Sequence, residues 1–234
     1  MTNLDDQDRS LAATLGDLAV EMQSLRSSDD VLRAIVDAAV HIVPGARWAG
    51  VSLVQRRRVE PAVLTDDVVS QLDQLQTDLG EGPLFDVIRE QKTVVIDDLS
   101  IDGKWPVFVP TAIELGVHSM LVYRLFVARE NLGALTLYGA APRVFTDDSI
   151  AAGELLAQHA AVALAGSAAV EQMQIAVASR DVIGQAKGIL MQRDRLTGLQ
   201  AFAALTKASQ ETNLKLVDVA RWLVGEHESS LPEA

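Results

Sequence analysis

Residues 147–195 contain neither a proline nor a strong cluster of turn residues, and alanine is abundant from position 151 to position 178. Alanine has the highest helix propensity, whereas proline breaks helices, so this segment predicts one long helix. A chain of 234 residues can hold one or two domains. The long helix is therefore predicted to join the part of the chain before it to the part after it.

Small side chains recur every seven residues along this helix. The spacing keeps one face of a helix against a partner helix, and small residues allow the two helices to come close. Three interpretations fit this seam: the helix pairs with the N-terminal helix of its own chain, it pairs with its copy in a homodimer, or it only covers a sheet of its own chain. The seam continues beyond position 167, which favours the homodimer. Its members are Leu156, Ala160, Ala163, Ser167, Val170, Gln174 and Val177.

The first 26 residues predict another helix with one apolar face. Its apolar residues alternate at steps of four and three, which is again the spacing of paired helices. Together with the long helix it would form a parallel helical bundle at a dimer interface. The residues are Leu11, Leu15, Leu18, Met22 and Leu25.

Between positions 27 and 147 the apolar residues change repeatedly from a helical period to the alternation of strands. The order of these segments predicts an α+β fold, in which an antiparallel sheet has helices on one face and a pocket-forming connection on the other. Helices are predicted at residues 29–43, 66–78, 84–90 and 108–115, and strands at residues 48–54, 59–64, 93–96, 119–127 and 133–138.

Three short helical patterns occupy the last quarter of the chain. Thr197 and Gln200 form the signature of a capping box at the start of the second, and Asn213 tolerates the left-handed conformation that ends helices. Helices this short are unstable alone in water, so they are predicted to pack as a three-helix bundle. Their apolar stripes are Val182, Ile183, Ala186, Ile189 and Leu190, then Phe202, Leu205 and Ala208, then Leu216, Val217, Ala220, Leu223 and Val224.

The opposite face of the first pattern carries Arg180, Gly184, Lys187, Gly188 and Met191. A glycine inside a helix costs about 1 kcal/mol relative to alanine. The two glycines therefore indicate that another backbone comes close to this face.

Basic residues are concentrated in the same quarter of an acidic protein. Residues 179–225 hold seven basic and four acidic side chains, a net charge of +3, whereas residues 1–178 hold thirteen and twenty-five, a net charge of −12. Because neutralised phosphates supply much of the affinity for nucleic acids, this asymmetry favours a nucleic-acid-binding module. Solvated lysines and arginines on helix surfaces would give the same count. Phe202 and Trp222 fall on or near apolar faces and are predicted to pack in the core rather than to stack on bases.

Composition excludes several classes of function. The absence of cysteine excludes disulfides, thiolate metal sites and the attachment of a bilin or haem through sulfur. No signal peptide is recognised, and no apolar run is expected to approach the roughly 18 residues that span a bilayer, so a cytoplasmic protein is expected. Catalytic motifs are missing, and neither enzyme activity nor a cofactor is expected. The histidines, which lack the spacing of metal ligands, are His41, His118, His159 and His227.

A family resemblance is carried by Ser179-Arg180, Ile183, Ala186-Lys187-Gly188, Leu190-Met191, Ala201-Phe202, Leu205, Ser209, Asn213, Lys215-Leu216 and Val219-Ala220. In this order and spacing the residues closely resemble the ANTAR family, small three-helix RNA-binding modules at the ends of bacterial regulators. In that family the module binds tandem hairpins in a leader transcript, stops a terminator from forming and lets transcription continue. The resemblance implies RNA as the partner and antitermination as the function.

The mixed part of the chain is similar to the GAF family over about residues 25–168, on the motifs at 80–83, 94–99 and 132–137. GAF domains are mostly sensors of small ligands or dimerisation modules, so the resemblance implies an unknown small molecule or a dimer. The cyclic-nucleotide signature of the family is absent. An ordinary hydrophobic core explains the implied pocket residues equally. These residues are Trp48, Val51, Leu84, Phe85, Val95, Trp105, Phe108 and Leu121.

Taken together, the patterns predict an N-terminal helix at 1–26, a GAF sensor domain at 27–168, an ANTAR RNA-binding domain at 169–228 and a tail at 229–234. A signal at the GAF domain is expected to change the pairing of the long helix and so to position the RNA-binding modules. The competing interpretation is a dimeric GAF signalling protein whose C-terminal helices bind a partner protein. The residues expected to contact RNA are Arg180, Gly184, Gln185, Lys187, Gly188, Arg193, Lys207, Ser209, Asn213, Lys215 and Arg221.

Overall fold

A computed structural model describes residues 16, 20, 22, 24, 25, 27–55, 58–90, 93–128 and 130–229. The predicted N-terminal helix and tail lie almost wholly outside the described residues. The chain divides into two compact units, Met1–Ala169 and Val170–Ala234. In chain order the elements are α1 (Ser28–Ile42), β1 (Trp48–Gln55), β2 (Arg58–Leu64), α2 (Asp67–Leu79), α3 (Pro83–Glu90), β3 (Val94–Ile96), α4 (Phe108–Glu114), β4 (Ser119–Val127), β5 (Glu130–Gly139), α5 (Asp147–Arg193), α6 (Gly198–Thr212) and α7 (Leu216–Ser229).

The first unit contains one antiparallel sheet with the strand order β2-β1-β5-β4-β3. Alternate residues of a strand lie on opposite faces. In β4, Leu121 packs into one apolar cluster, whereas Met120 and Val122 pack into another. Both faces are therefore covered, which explains why β4 reads as an almost continuous apolar run. The predicted α+β class, an antiparallel sheet flanked by helices, is confirmed.

One face of the sheet is covered by α1 and the first part of α5. The hydroxyl of Ser27 caps α1 by accepting a hydrogen bond from the backbone amide two residues on, at 3.2 Å. Val31 and Ile35 of α1 and Leu156 and Ala160 of α5 are fully buried in one cluster. Each fully buried aliphatic side chain of valine size or larger stabilises the fold by about 1.5–3 kcal/mol.

The opposite face is covered by α2, α3 and α4, which lie in the connections between β2, β3 and β4. The sequence predicted helices on one face and a pocket-forming connection on the other. That connection carries helices of its own, so helices flank both faces. Leu72, Leu84 and Phe108, one from each helix, are fully buried in the cluster on this face.

The motif at residues 80–83 forms the loop between α2 and α3. Gly80 ends α2 in the left-handed conformation, with φ of 64°, which glycine adopts without steric cost. A Cβ at Gly82 would lie only 2.5 Å from Oε1 of Gln76. That oxygen accepts a hydrogen bond from the amide of Leu84 at 2.9 Å. The second glycine therefore lets the loop pack closely against a buried glutamine.

The seam residues of α5 occupy two different environments. In the first unit, Leu156, Ala160 and Ser167 are at most 5% exposed. In the second unit, Val170 and Val177 are 47% and 53% exposed. Packing within the chain therefore covers the first half of the seam, and only the second half presents an apolar surface to a partner.

By length and composition, α5 could also cross a membrane. An 18-residue window in this helix has a mean hydropathy of 1.3, so the expectation that no apolar run approaches this length is corrected. The core helix of a soluble protein satisfies the same criterion, and 22% of the window is buried. Packing of Ala152, Leu156 and Ala160 in the core of the first unit accounts for part of the apolar content.

The second unit is the predicted three-helix bundle, formed by the end of α5 with α6 and α7. Thr197 and Gln200 form the predicted capping box at the start of α6, and Asn213 ends this helix with φ of 55°. Each helix contributes two buried residues, three or four positions apart, to a shared core. These residues are Ala186 and Leu190, Ala201 and Leu205, and Ala220 and Leu223.

A carboxylate is buried between the sheet and α2. Asp73 is fully buried, and its oxygens accept hydrogen bonds from the hydroxyl of Ser52, at 2.8 Å, and from the hydroxyl of Tyr138. Removal of water from the charge raises the pKa of Asp73 above 3.8, and the two hydroxyl donors oppose this shift only in part. Burial, and secondly the charge of Asp73, raise the pKa of Tyr138 well above its ordinary value.

We expect Asp73→Asn to stabilise the first unit increasingly, relative to the wild type, as the pH rises. With its raised pKa, the folded chain holds the Asp73 proton more tightly than the unfolded chain does. The wild type therefore loses stability as the pH rises from 3.8 through that pKa. Asparagine removes this dependence.

Urea unfolding at several pH values measures the effect through the fluorescence of Trp48 and Trp105. A Trp222→Phe background removes the third tryptophan, which lies in the other unit. A stability difference between the Asn variant and the wild type that stays constant or shrinks with rising pH would contradict the expectation.

Candidate nucleic-acid interface

Three of the predicted phosphate contacts on the second unit already form ion pairs with acidic neighbours in the sequence. All three pairs are exposed, so each contributes little to stability. Each nevertheless places a carboxylate where an RNA phosphate would have to bind. The pairs are Arg193 with Asp194 at 2.9 Å, Lys207 with Glu211 at 3.7 Å, and Arg221 with Asp218 at 3.0 Å.

The other three residues predicted to contact phosphates have no acidic side chain paired with them within the described ranges. Among the residues that the structure describes, Arg180, Lys187 and Lys215 form no ion pair. Their charges are therefore not offset by a carboxylate in contact with them. Arg195, which was not among the predicted contacts, also forms no ion pair with a described residue. Phosphate neutralisation by the second unit is therefore expected to depend mainly on these four side chains.

Arg180 and Lys187 lie at an open groove of about 450 Å³ in the second unit. One side of the groove belongs to α5 and the other to α6. Apolar atoms form most of its surface, and no carboxylate lines it. The lining residues are Ala176, Ser179, Arg180, Ile183, Gly184, Lys187 and Phe202.

Phe202 and Trp222 do not pack in the core as the sequence predicted, because they are 42% and 66% exposed. In α6 the core positions belong to Ala201 and Leu205, and Phe202 lies at the edge of that apolar face. The ammonium of Lys187 lies 6.0 Å from the centroid of the Phe202 ring, at the outer limit of a cation–π contact. Phe202 is therefore a candidate contact that the sequence assigned to the core.

The two glycines predicted to allow the close approach of another backbone, Gly184 and Gly188, have no such neighbour among the described residues of the chain. A Cβ at Gly184 or at Gly188 would meet no heavy atom within 4 Å, apart from its own helix backbone and chain neighbours. The cost of about 1 kcal/mol for each glycine is therefore not offset by packing within the chain. Of the two, Gly184 lines the groove.

The three polar residues expected to read bases differ in their environment. The hydroxyl of Ser209 donates a hydrogen bond to the carbonyl of Leu214 at 2.6 Å, which links α6 to the turn after it. Asn213 is the left-handed residue at the end of α6. Both therefore have a structural role. Gln185 is exposed on α5, next to Gly184 in sequence.

The eight predicted lining residues of the GAF pocket do not converge on one site. Val51 and Leu121 belong to the cluster between the sheet and α1 and α5. Val95 is 41% exposed. The remaining five pack in or against the cluster on the opposite face, between the sheet and α2, α3 and α4. They are Trp48, Leu84, Phe85, Trp105 and Phe108.

Metal ligands do not cluster in the described part of the chain, where no group of three or more His, Asp or Glu side chains could hold an ion. His41 and His159 each form a hydrogen bond with the backbone carbonyl four residues earlier, at 2.7 Å and 2.8 Å. These contacts are local features of helix surfaces.

Comparison with protein families divides the chain in the same order as the fold. The family described as GAF domain matches residues 26–165, and the family described as ANTAR domain matches residues 171–224. The groove and the core of the second unit both fall within the ANTAR match. No curated protein matches the chain.

Solved structures resemble the chain at low sequence identity. The GAF domain from a phosphoenolpyruvate-protein phosphotransferase of Coxiella burnetii is 18% identical, with a TM-score of 0.55 over 68% of this chain and 95% of that one. The corresponding GAF domain from Acinetobacter is 17% identical, with a TM-score of 0.52 over 73% and 98%. The fRMsr of Staphylococcus aureus in its reduced form is 12% identical, with a TM-score of 0.53 over 66% and 94%. These similarities show the fold alone.

Proposed function

The chain belongs to the GAF domain family and carries an ANTAR domain after its GAF domain, and on this premise we propose that it binds tandem hairpins in leader transcripts and lets transcription continue past a terminator. An ANTAR domain indicates RNA-binding antitermination regulation, and a GAF domain indicates sensing or dimerisation. Both are regulatory domains rather than catalytic ones. The proposal adds the paired hairpins as the target.

The observation that carries the proposal is the set of cations in the ANTAR domain that no carboxylate neutralises. With Arg180, Lys187, Arg195 and Lys215 available, one module can neutralise only a few phosphates and binds one hairpin weakly. Two modules held together bind two hairpins far more tightly, because the second contact becomes intramolecular. A pair of hairpins is therefore the target that suits a dimer of such modules.

We place the homodimer contact on the second half of the seam together with the neighbouring residue Met173. Val170, Met173 and Val177 follow one another at steps of three and four along α5 and are 47%, 70% and 53% exposed. This is the pattern of a helix that pairs with another helix, and a second copy of the same segment supplies a matching apolar face.

The GAF domain is proposed to respond to a signal in the cytoplasm. A small molecule bound between the sheet and α2, α3 and α4 would alter the packing of the first unit. Because α5 runs without a break from that unit into the ANTAR domain, altered pairing of this helix would change how two modules meet two hairpins.

We expect the affinity for a paired-hairpin leader RNA to fall on the order of tenfold or more between about 50 and 200 mM salt. Binding through phosphates releases counterions, and this release becomes less favourable as the salt concentration rises. Gel shifts of the full chain at several ionic strengths measure the slope, and a slope near zero for a folded protein would contradict RNA binding through these cations.

A protein partner for the C-terminal helices is the alternative. Leu199 and Trp222 are 83% and 66% exposed, which favours an apolar contact at the second unit. An apolar interface does not weaken as salt increases over this range. Binding to hairpin RNA that is undetectable even at low salt would favour the protein partner.

A further inference from the structure

We propose that the groove in the ANTAR domain holds one unpaired base of the hairpin loop, stacked on Phe202, with the phosphate of that nucleotide against Arg180 and Lys187. The inference rests on the proposed function and assigns one nucleotide site within it. Four features of the groove support it: its size and lining, the exposed ring, the glycine in its wall and the sign of its charges.

The groove has the size and surface expected for a base. Its volume of about 450 Å³ lies within the range of roughly 300–1,000 Å³ that is typical of small-molecule sites. Ala176 and Ile183 give it apolar walls, whereas Ser179 supplies one hydroxyl. A nucleobase has the same character, since its faces are apolar and its edges form hydrogen bonds.

Phe202 can serve as the stacking surface because the core does not need it. Ala201 and Leu205 fill the core positions of α6, and Phe202 keeps 42% of its surface exposed. An aromatic ring binds any base through its face, and a nearby cation strengthens the contact. Lys187, 6.0 Å from the ring centroid, provides that cation.

Gly184 keeps the groove open from the side of α5. Every residue except proline has a higher helix propensity than glycine, and a Cβ here would meet nothing within 4 Å in the chain itself. Packing of the folded chain therefore gives no reason for glycine at this position. A bound nucleotide would explain the glycine, because a side chain at residue 184 would occupy the space of the nucleotide.

The charges at the groove favour a nucleotide over an apolar side chain from a protein partner. Arg180 and Lys187 are both cationic, no carboxylate lines the groove, and neither side chain forms an ion pair with a described residue. An apolar floor with only positive charges beside it is complementary to a base and its phosphate.

Abasic substitution of the leader RNA, combined with Phe202→Leu, tests the inference. Each loop base of a paired-hairpin RNA is removed in turn, and the affinities of the full-length wild type and variant are measured. We expect one loop position at which base removal weakens wild-type binding by roughly 5- to 100-fold. Removal of the same base should not weaken the Phe202→Leu variant further, and Phe202→Trp should bind as the wild type does.

Gly184→Leu provides a second test, in which loss of binding cannot be caused by unfolding. Leucine favours the helix, so the melting temperature of the variant should equal or exceed that of the wild type. The RNA affinity of the variant should fall on the order of tenfold, because the leucine side chain fills the groove. The matched control is Gly225→Leu, at an exposed glycine of α7 that also has nothing within 4 Å of an added Cβ. This control should keep wild-type affinity.

The outcomes separate the inference from the proposed function. If the wild type binds no hairpin RNA, the proposed function fails together with the inference. If the wild type binds hairpins but Gly184→Leu binds equally well, the base is not held in the groove. The same conclusion follows if the cost of the abasic position is unchanged in Phe202→Leu.

Discussion

The variant Lys187→Glu should bind a paired-hairpin leader RNA about a hundredfold more weakly than the wild type, whereas Lys207→Glu should lose less than about threefold. Both substitutions change the net charge equally, and both exchange one good helix former for another. They differ in surroundings. Lys187 lies at the groove and has no carboxylate in contact, whereas Lys207 is paired with Glu211 at 3.7 Å.

The size of the effect follows from two steps. Replacing a cation that meets a phosphate by an anion weakens one module by about tenfold, because attraction becomes repulsion. In a dimer that engages two hairpins, the loss occurs at both modules and multiplies to about a hundredfold. A single hairpin should therefore show only the smaller loss, which makes the number of modules in the complex measurable.

Gel shifts with both variants and with paired and single hairpins measure these ratios, and circular dichroism shows whether each variant is folded. Equal losses for Lys187→Glu and Lys207→Glu would mean that only the overall charge of the module matters. Wild-type affinity in a folded Lys187→Glu variant would contradict the assignment of this surface to RNA.

Local patterns were sufficient to predict the helices and strands and the α+β class. The 3.6-residue and two-residue periods predicted the helices and strands of the first unit. An element that buries one face has its apolar residues at the spacing of that face. The capping box at Thr197 and the end of α6 at Asn213 could also be predicted, since each depends on residues close together in sequence.

What depends on distant parts of the chain was harder to predict. The resemblance to GAF domains grouped Val51 and Leu121 with Phe108 in one pocket, but the alternation of side chains along each strand puts the first two on the opposite face of the sheet. Phe202 was assigned to the core from its spacing to Leu205, whereas Ala201 fills that place in the packed bundle.

The ion pairs were the most useful addition from the structure. Arg193, Lys207 and Arg221 could not be ranked below Arg180 and Lys187 from composition, although each pairs with an acidic residue one, three or four positions away. Such spacings permit a pair without requiring it, because the side chains can also extend into water. The three-dimensional arrangement decides which charges remain for a ligand.

The largest effect of all is expected in the choice of RNA. With its short cationic groove, the ANTAR domain should prefer looped bases to a uniform double helix, whose bases are stacked and inaccessible to Phe202. Two hairpins in tandem increase the affinity further, because both modules of a dimer can bind the same RNA. We expect the paired-hairpin leader to bind on the order of a hundredfold or more tightly than a perfect RNA duplex of equal length and charge.

Competition at fixed ionic strength tests this preference most directly. The full chain is bound to labelled paired-hairpin RNA, and unlabelled duplex, single hairpin and paired hairpin are added in separate titrations. We expect the paired hairpin to displace the label at about a hundredfold lower concentration than the duplex, with the single hairpin between them. Equal displacement by all three competitors would show that a folded protein binds only negative charge, and would contradict the recognition of paired hairpins.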